Sequence, residues 1–401
     1  MIRQGLLEPS QACTHWLKEG INEGRQAHPG FDAKDYLERN PQLAKAKGVS
    51  NYSAALTDFL TKKSPEKRAS FSNPAQPTTS TAPLASTPIT RRTLMTMLEG
   101  SPLFVSASTR TAGAIDSLVW ANTEFINAFD HGRELQIAFA KGSAGECYNP
   151  TEAGSQLDAQ DLDKVKQSSS TLLSWSQTAN QLFTETVPAF WMRPGQRKPR
   201  SCGQAQNDSI TASQTRIHKT VTLGYGKLSN VIAMQTSVEL LSAQERYEPK
   251  AGDNWSAAFE VPTGYLAPEF NSFYTFNPKT QVLRSENARA KACLEPSAKI
   301  SCEQGLPLIV SKDANTAMGI CAVNAAKGFR EVAYGVFDIP SQRSSLANTS
   351  KWNVVQRSLG VVQGPTRFTF TTFLAIGNMQ SVQASMTALH QNGECAISTN
   401  Q

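Results

Sequence analysis

Charged side chains are scarce in this sequence. They make up 18% of the 401 residues and leave a net charge of +6, against about 25% in an average soluble domain. Nucleic-acid-binding domains carry clustered Lys and Arg and a pI above about 9, so we predict no nucleic-acid partner. The sharpest basic run, 193–200 (RPGQRKPR), is rich in Pro and Gly and predicts a solvated loop. Electrostatic attraction of an acidic glycan, a phosphate-rich surface or nucleic acid is the alternative.

Long apolar runs and familiar catalytic motifs are absent as well. No run approaches 18 apolar residues, so we predict no membrane span. The start, MIRQGLLEPSQACTHW, lacks the basic and apolar regions of a signal peptide. The sequence has no GxSxG, P-loop, HExxH or GxGxxG after a strand. It has no zinc-type Cys/His spacing and no calcium-loop spacing. We therefore expect no metal and no cofactor.

The chain divides into three parts by pattern. Residues 1–63 contain short helical segments, with Asp32 as an N-cap, Pro41 opening one helix and Gly48 ending it. Such short helices are stable only when packed together, which predicts a small helical module. Residues 64–92 are rich in Ser, Thr, Pro and Ala and predict an extended linker. Residues 93–401 form the main body.

The body is dominated by alternation of apolar and polar residues. After one possible helix over 92–99, period-two segments separated by Gly, Pro, Asn and Asp predict many antiparallel strands. Their number and the length of the body predict a mainly β fold, a large two-sheet antiparallel supersandwich. A C-terminal helix, SVQASMTALHQ, closes it. Ser381 is its predicted N-cap, and its predicted apolar face contains Val382, Met386 and Leu389.

Six of the seven cysteines lie in the body. Six cysteines allow fifteen pairings. Cys293 and Cys302 bracket a short loop and are the easiest pair to propose; Cys147–Cys202 and Cys321–Cys395 follow by elimination. An even set of cysteines beside a Ser/Thr/Pro linker favours an oxidising compartment. The alternative is six buried free thiols in a cytosolic protein.

The densest polar cluster is DHGRELQ (130–136), followed by GECYNPTEAG (146–154). On a strand, His131 and Arg133 share one face. Arg offers a planar fork for carboxylates or vicinal hydroxyls, and His transfers protons near neutral pH. These two residues and Tyr148 are therefore candidate catalytic residues. The residues that complete this site in the prediction are Glu146, Asn149 and Glu152. A hydrogen-bonded scaffold without chemistry is the alternative, which the residue types favour for Glu134 and Glu152.

A second candidate set is TGYLAPEFNSFY (263–274). Glu269 lies there among aromatic residues that include Tyr265. Aromatic rings stack on the apolar faces of sugars, and a carboxylate binds hydroxyls or moves a proton. Glu269 is a candidate catalytic residue and Tyr265 a candidate substrate contact. His218 on HKTVTLGYG and Trp352 on KWNVVQR are further substrate-binding candidates. A packed loop or ordinary core packing is the alternative for each.

Three resemblances cover different parts of the chain. Residues 10–60, with HWLKEGINEGR and FDAKDYLERNPQLAKAKG, resemble a short helical repeat of bacterial exported proteins. A weak echo of residues 10–18 recurs 43 positions later. GAIDSLVW followed by EFI resembles the first hairpin of galactose-mutarotase-like supersandwiches. The body also resembles an uncharacterised family of exported bacterial-type proteins with the motifs DHGRELQ, GECYNPTEAGS, GYxxPEF and KWN.

The supersandwich resemblance implies carbohydrate chemistry. Epimerases of that fold use His and Glu, and polysaccharide lyases use His, Tyr or Arg. The residues that correspond here are His131, Arg133 and Glu269. A mutarotase uses a second His, for which His218 is the remaining choice in the body. In this respect the sequence departs from the pattern that the standard mutarotase reaction needs.

Two functions and a third possibility stay open at this point. The first is an exported carbohydrate-active enzyme, a lyase, epimerase or hydrolase, with His131 or Tyr148 as acid or base, Glu269 as partner base and Arg133 neutralising negative charge. The second is a non-catalytic glycan-binding or cell-surface module tethered by the helical repeat. The third is a structural exported protein. Each predicts a secreted or cell-surface location. Because the echo of residues 10–18 predicts that the chain starts inside a repeat unit, we expect a longer precursor.

Overall fold

The computed structural model describes residues 37, 41–47, 54, 89–127, 133–156, 167–198, 202–249, 252, 254–293, 301–340 and 348–398. The chain divides into two compact units, Met1–Ala85 and Ser86–Gln401. In the first unit, helix α1 spans Pro41–Lys47, as the Pro and Gly punctuation predicts. The rest of the helical module lies outside the described residues, apart from Leu37 and Ala54, which are also helical. The predicted linker lies outside them except at its last four residues. The boundaries predicted at 63 and 92 stay predictions.

The second unit is built mainly from strands. In chain order they are β1 Arg91–Leu98, β2 Ser101–Ser108, β3 Ile115–Trp120, β4 Thr123–Glu124, β5 Leu135–Lys141, β6 Pro150–Thr151, β7 Thr171–Gln177, β8 Gln181–Val187, β9 Ala189–Phe190, β10 Arg197–Lys198, β11 Gly203–Gln204, β12 Thr215–Tyr225, β13 Leu228–Leu240, β14 Arg246–Tyr247, β15 Trp255–Leu266, β16 Ser272–Asn277, β17 Val282–Ser285, β18 Glu303–Gln304, β19 Leu308–Asp313, β20 Thr316–Ala322, β21 Ala333–Ile339, β22 Thr349–Leu359, β23 Val362–Gln363 and β24 Thr366–Gly377. Helix α2 spans Asn287–Ala292 and α3 spans Met379–Gln391. Two 3₁₀ segments span Thr109–Thr111 and Gly142–Tyr148.

These strands form two large antiparallel sheets, which confirms the predicted fold class. Sheet A has the order β1-β2-β3-β5-β15-β22-β21-β18, with β4, β6 and β9 attached at its side. Sheet B has the order β17-β16-β19-β20-β24-β13-β12-β8-β7. Two small ribbons, β10–β11 and β14–β23, lie beside them. The described residues contain no helix that is long and apolar enough to cross a membrane.

The core lies between the two sheets and follows from the alternation in sequence. Along β12, buried residues alternate with partly exposed ones, because successive side chains of a strand point to opposite faces. One buried cluster joins Trp352 and Val354 of sheet A to Val221 and Met234 of sheet B. The inward faces of both sheets are therefore mainly apolar. Polar side chains lie in register on the outward faces of both sheets.

Two local predictions were wrong. The segment predicted as a helix over 92–99 is strand β1, which pairs with β2 along its whole length. Its buried Leu94 and Leu98 are four residues apart, a spacing that fits both a helix face and a strand face, and pairing with β2 decides between them. The N-cap of α3 is Asn378 rather than Ser381, because the Asn378 side chain accepts a hydrogen bond from the Ser381 backbone N–H at 2.9 Å.

The apolar face of α3 and the disulfides agree with the sequence. Val382, Met386 and Leu389 are buried, as predicted. The three disulfides are Cys147–Cys202, Cys293–Cys302 and Cys321–Cys395, with Cα atoms 5.8, 5.5 and 5.3 Å apart. Of the fifteen possible pairings, the structure has the one that elimination gave.

Candidate functional site

Three strands place a row of large side chains on the outward face of sheet A. In register, Tyr265 of β15 lies opposite Lys351 of β22, and Lys351 lies opposite Phe337 of β21. Their sequence neighbours Trp352 and Val336 face the core. Because side chains alternate along a strand, Tyr265, Lys351 and Phe337 share the face turned away from sheet B. We call this the outer face of sheet A.

Cations and aromatic rings alternate along this row. The Arg133 guanidinium carbon lies 5.5 Å from the ring centroid of Trp191 and 6.0 Å from that of Tyr265. The Lys351 Nζ lies 5.3 Å from the Tyr265 ring centroid and 5.1 Å from that of Phe337. All five residues are half-buried, which strengthens each cation–π contact relative to an exposed site. We call Trp191, Arg133, Tyr265, Lys351 and Phe337 the cation–aromatic ladder.

A carboxylate contacts the Lys351 end of the ladder. Glu260 Oε2 lies 3.2 Å from the Lys351 Nζ. In register, Glu260 of β15 lies opposite Val355 of β22, which is four residues after Lys351. The pair Thr263–Asn353 lies between the position of Glu260 and that of Lys351. The two charged side chains therefore meet above Thr263 and Asn353, both of which are buried. The ion pair covers the middle of the outer face.

The electrostatics of the ladder favour its protonated groups. Burial raises the pKa of the Tyr265 phenol, and the neighbouring Lys351 and Arg133 only partly offset this effect. Burial alone would lower the pKa of Lys351, but Glu260 and Tyr265 outweigh it and the pKa is raised. At neutral pH the site therefore presents a neutral phenol between two cations. Such a phenol donates a hydrogen bond or a proton.

The DHGRELQ motif leads directly into the ladder. The Asn127 N–H donates to the Tyr265 carbonyl at 2.9 Å, and the Tyr265 N–H donates to the Glu134 carbonyl at 3.1 Å. Asp130 and His131, between these anchors, lie outside the described residues. Glu134 is fully buried, 3.6 Å from the Arg110 guanidinium, so it belongs to the scaffold. Arg133 and Glu134 precede β5, which begins at Leu135.

Tyr148 belongs to a different cluster on the inner side of sheet A. Its hydroxyl donates to Glu245 Oε2 at 3.0 Å, and the Tyr247 hydroxyl donates to the same oxygen at 2.9 Å. The Lys141 Nζ lies 5.2 Å from the Tyr148 ring centroid. Burial and the Glu245 charge raise the pKa of Tyr148. Lys141 shares the strand face of the core residue Phe139, so this cluster and the ladder lie on opposite faces of the sheet.

Glu152 lies inside the molecule. It forms an ion pair with Lys219 of β12, and neither side chain is exposed. Its other carboxylate oxygen accepts a hydrogen bond from the Ile137 N–H at 3.0 Å, and Lys219 also donates to the Gly113 carbonyl at 2.9 Å. The pair joins sheet A to sheet B. In this position Glu152 links the two sheets and does not reach the outer face.

The remaining predicted site residues are dispersed. Glu146 is exposed and pairs with Lys198 of the basic run, while the Asn149 amide donates to the Phe139 carbonyl at 2.7 Å. Glu269 is exposed in the turn after β15 and contacts no described residue through a hydrogen bond or ion pair. Two further candidates lie elsewhere. His218 is next to the inward-facing Lys219, points outward from sheet B and lies 2.9 Å from Glu239. Trp352 is fully buried in the core.

Of the predicted residues, the structure brings Arg133 and Tyr265 together. It adds four that the sequence did not single out: Trp191, Glu260, Phe337 and Lys351. The alternation of KWNVVQR shows that Lys351 and Trp352 face opposite sides, and a Lys next to a buried Trp is the sign that would have identified Lys351. Among the described residues, no group of three or more His, Cys, Asp or Glu side chains is arranged to hold a metal ion.

No protein-family model and no curated protein matches the chain. Several solved structures are similar to it in part. A heparan sulfate lyase from Pedobacter heparinus has a TM-score of 0.38 at 8% identity, over 87% of this chain and 43% of the lyase. A galactose mutarotase related enzyme from Lactobacillus acidophilus has a TM-score of 0.37 at 9% identity, over 72% and 98%. An alpha-mannosidase from Enterococcus faecalis V583 has a TM-score of 0.36 at 11% identity, over 70% and 30%. The chain spans less than half the length of the lyase.

Proposed function

We propose that this protein binds an acidic glycan on the outer face of sheet A. The observation that supports this is the cation–aromatic ladder. Aromatic rings offer flat apolar surfaces to the faces of sugar rings. Arg and Lys next to those rings bind carboxylate or sulfate groups, Arg through a planar fork and Lys as a point charge. A half-buried setting keeps both cations in place and raises the strength of each contact.

An exported location fits this function. Three disulfides in the body are typical of oxidising compartments outside the cytosol. The predicted helical module and linker would then tether the glycan-binding body at a cell surface. A secreted or cell-surface protein meets acidic glycans there.

A second candidate function is an elimination or epimerisation at a uronate. Enzymes of this kind need two titratable groups near one substrate atom. Tyr265, Lys351 and Glu260 supply such groups side by side, because Lys351 contacts both of the others. In an elimination, Glu260 would take the proton from the carbon that bears the carboxylate, and the bond from the neighbouring carbon to the glycosidic oxygen would break as the double bond forms. The Tyr265 phenol would donate its proton to that leaving oxygen, or, in an epimerisation, to the opposite face of the same carbon. Lys351 would neutralise the substrate carboxylate. Arg133 would add a second positive charge.

A glycan panel assayed for both binding and turnover tests the proposal. It contains acidic polysaccharides (polygalacturonate and heparan sulfate) and neutral ones (galactan and mannan). Lys351→Ala removes one ladder cation, whereas Lys312→Ala removes an exposed Lys on sheet B as the matched control. We expect acidic glycans to bind wild type and Lys351→Ala to weaken that binding about tenfold, which is about 1.4 kcal/mol and lies within the range for a partly desolvated cation contact. Lys312→Ala should leave the binding unchanged.

Turnover separates the two candidate functions. Elimination creates a double bond conjugated to the uronate carboxylate, which ultraviolet absorbance detects. Release of unsaturated product, lost in Tyr265→Phe while binding is kept, would favour the enzyme. Binding without product on any acidic glycan would favour the binding module. If no acidic glycan binds, or if Lys312→Ala weakens binding as much as Lys351→Ala, the proposal is wrong.

A further inference from the structure

A second group of aromatic, cationic and acidic side chains lies farther along the same face. Arg357 of β22 shares the strand face of Lys351, six residues away. Its guanidinium carbon lies 5.2 Å from the Trp255 ring centroid. Its two terminal nitrogens lie 2.6 and 2.8 Å from the two carboxylate oxygens of Glu303. This bidentate pair fixes the position of the guanidinium next to the indole.

Small side chains separate this group from the ladder. Between Lys351 and Arg357, β22 presents Asn353 and Val355 on the outer face, and their register partners on β21 are Gly335 and Ala333. On the other side, Ala138 of β5 is opposite Glu260 of β15. Apart from the Lys351–Glu260 pair, the floor between the two ends is made of short side chains. Asn353, Val355 and Ala138 of this floor are buried, so a bound chain would pass over the floor between the longer side chains at its two ends.

The floor also contains an unsatisfied acceptor. Asn353 is 3% exposed, and its Oδ1 accepts no hydrogen bond from a described residue. Buried polar atoms normally have a partner. Asn353 lies beneath the Lys351–Glu260 pair, so a ligand that draws Lys351 toward itself would bring a sugar hydroxyl within reach of this oxygen. This acceptor lies between the two ends, where a bound chain would pass.

We propose that Trp255, Arg357 and Glu303 form a second saccharide subsite, so that the protein binds an internal stretch of an acidic polysaccharide. This inference rests on the proposed function. Six residues of strand separate Lys351 from Arg357, which is about 20 Å at 3.3 Å per residue. A single sugar or disaccharide reaches one end of this span. A longer oligosaccharide reaches both ends, and its two contacts reinforce each other because the second is made within one molecule.

Oligosaccharides of defined length test the subsite. Galacturonate and heparan sulfate fragments of two to ten sugars are titrated calorimetrically into the full chain. In wild type we expect affinity to rise at least tenfold between two and eight sugars and then to level off. Trp255→Ala and Arg357→Ala should lose that gain for the long fragments while they bind disaccharides within twofold of wild type. Retained disaccharide binding also shows that each variant is folded.

Trp175→Ala is the matched control. Trp175 pairs with Arg92 at 4.8 Å, a similar Arg–Trp contact at the edge of sheet B, and its loss should leave the length dependence unchanged. Affinity that is independent of length in wild type, or a length dependence that survives in both Trp255→Ala and Arg357→Ala, would overturn the subsite while the ladder stands. Failure of every fragment to bind would overturn the proposed function together with the subsite.

Discussion

Under the proposed function, we expect Glu260 to limit how much of the charge of Lys351 is available to a ligand. Its carboxylate contacts the Lys351 ammonium at 3.2 Å, where a ligand carboxylate would bind. Glu260→Gln keeps the shape of the side chain and removes this competitor. An ion pair with partial exposure is worth up to about 1 kcal/mol, so we expect acidic glycans to bind up to about fivefold more tightly, measured by calorimetry.

The matched control for this change is Glu239→Gln. Glu239 pairs with His218 on sheet B, whereas the ladder lies on sheet A. Neutralisation of Glu239 should therefore not alter glycan affinity. Weaker binding of acidic glycans by Glu260→Gln would show that Glu260 holds Lys351 in its binding position rather than competing with the ligand.

We expect Glu124 to make the stability of the folded chain depend on pH. Burial raises the pKa of this carboxyl to about 7, although it accepts hydrogen bonds from the Ser117 hydroxyl and from the Leu118 and Ile126 N–H groups. The folded chain therefore binds more protons than the unfolded chain between pH 4.5 and 7, and the free energy of unfolding falls as pH rises through this range. The loss is at most about 3 kcal/mol.

Glu124→Gln should abolish this contribution. Urea titrations between pH 4.5 and 8 would show a flatter profile for the variant than for wild type. Glu269→Gln, at an exposed carboxyl, should keep the wild-type slope. Equal slopes for wild type and Glu124→Gln would mean that Glu124 is ionised throughout.

At the scale of elements, the Glu152–Lys219 pair links the two sheets. Both side chains are fully buried, and removal of one partner leaves a buried charge without compensation. Lys219→Met should lower the free energy of unfolding by about 3–5 kcal/mol, measured by urea titration. The double variant Lys219→Met/Glu152→Leu should recover much of this loss. A double variant as unstable as the single one would show that the packing of Lys219, rather than its charge, is what matters.

Most strands could be predicted from sequence because apolar and polar residues alternate along them. Alternation shows which residues of β22 share a face, but it does not show which face packs against sheet B. The sequence therefore predicted Trp352 as a site residue, whereas Trp352 faces the core and its neighbour Lys351 faces outward. The start of α3 was misplaced by a similar ambiguity, since Asn378 and Ser381 are both good N-caps. The local pattern therefore predicts most of the strands and helices. Contacts between elements determine which face of a strand is buried and which residue caps a helix.

The site itself depends on contacts that are distant in sequence. Arg133 and Tyr265 could be selected because their motifs are locally dense in polar and aromatic residues. Trp191, Glu260 and Phe337 have no such context, and only the order of the strands in sheet A brings them beside Arg133 and Lys351. Likewise, the burial of Lys219 could not be predicted from local sequence, because its partner Glu152 lies 67 residues away.

At the scale of the whole molecule, the disulfides contribute unequally to stability. Cys321–Cys395 closes a loop of 74 residues and Cys293–Cys302 one of 9. In the chain-entropy account, removing the first costs about 4 kcal/mol and removing the second about 3 kcal/mol. Thermal unfolding of the paired Cys→Ser variants should therefore show the larger loss for Cys321→Ser/Cys395→Ser. The reverse order would indicate that residual structure in the unfolded chain dominates.

Under the proposed function, the outer face of sheet A is the surface that binds the glycan. The opposite side of the body carries the outward-facing His218 of sheet B and α3, and the interior carries Glu152 and Trp352. A glycan therefore has to be found on one particular side of the sandwich.

A crystal structure of the full chain with a bound acidic hexasaccharide tests this most directly. We predict that the sugar chain lies on the outer face of sheet A, with an anionic group between Arg133 and Lys351 and a sugar ring against Tyr265. A hexasaccharide bound along α3 or beside His218, or none bound at concentrations that saturate the protein in solution, would contradict the account.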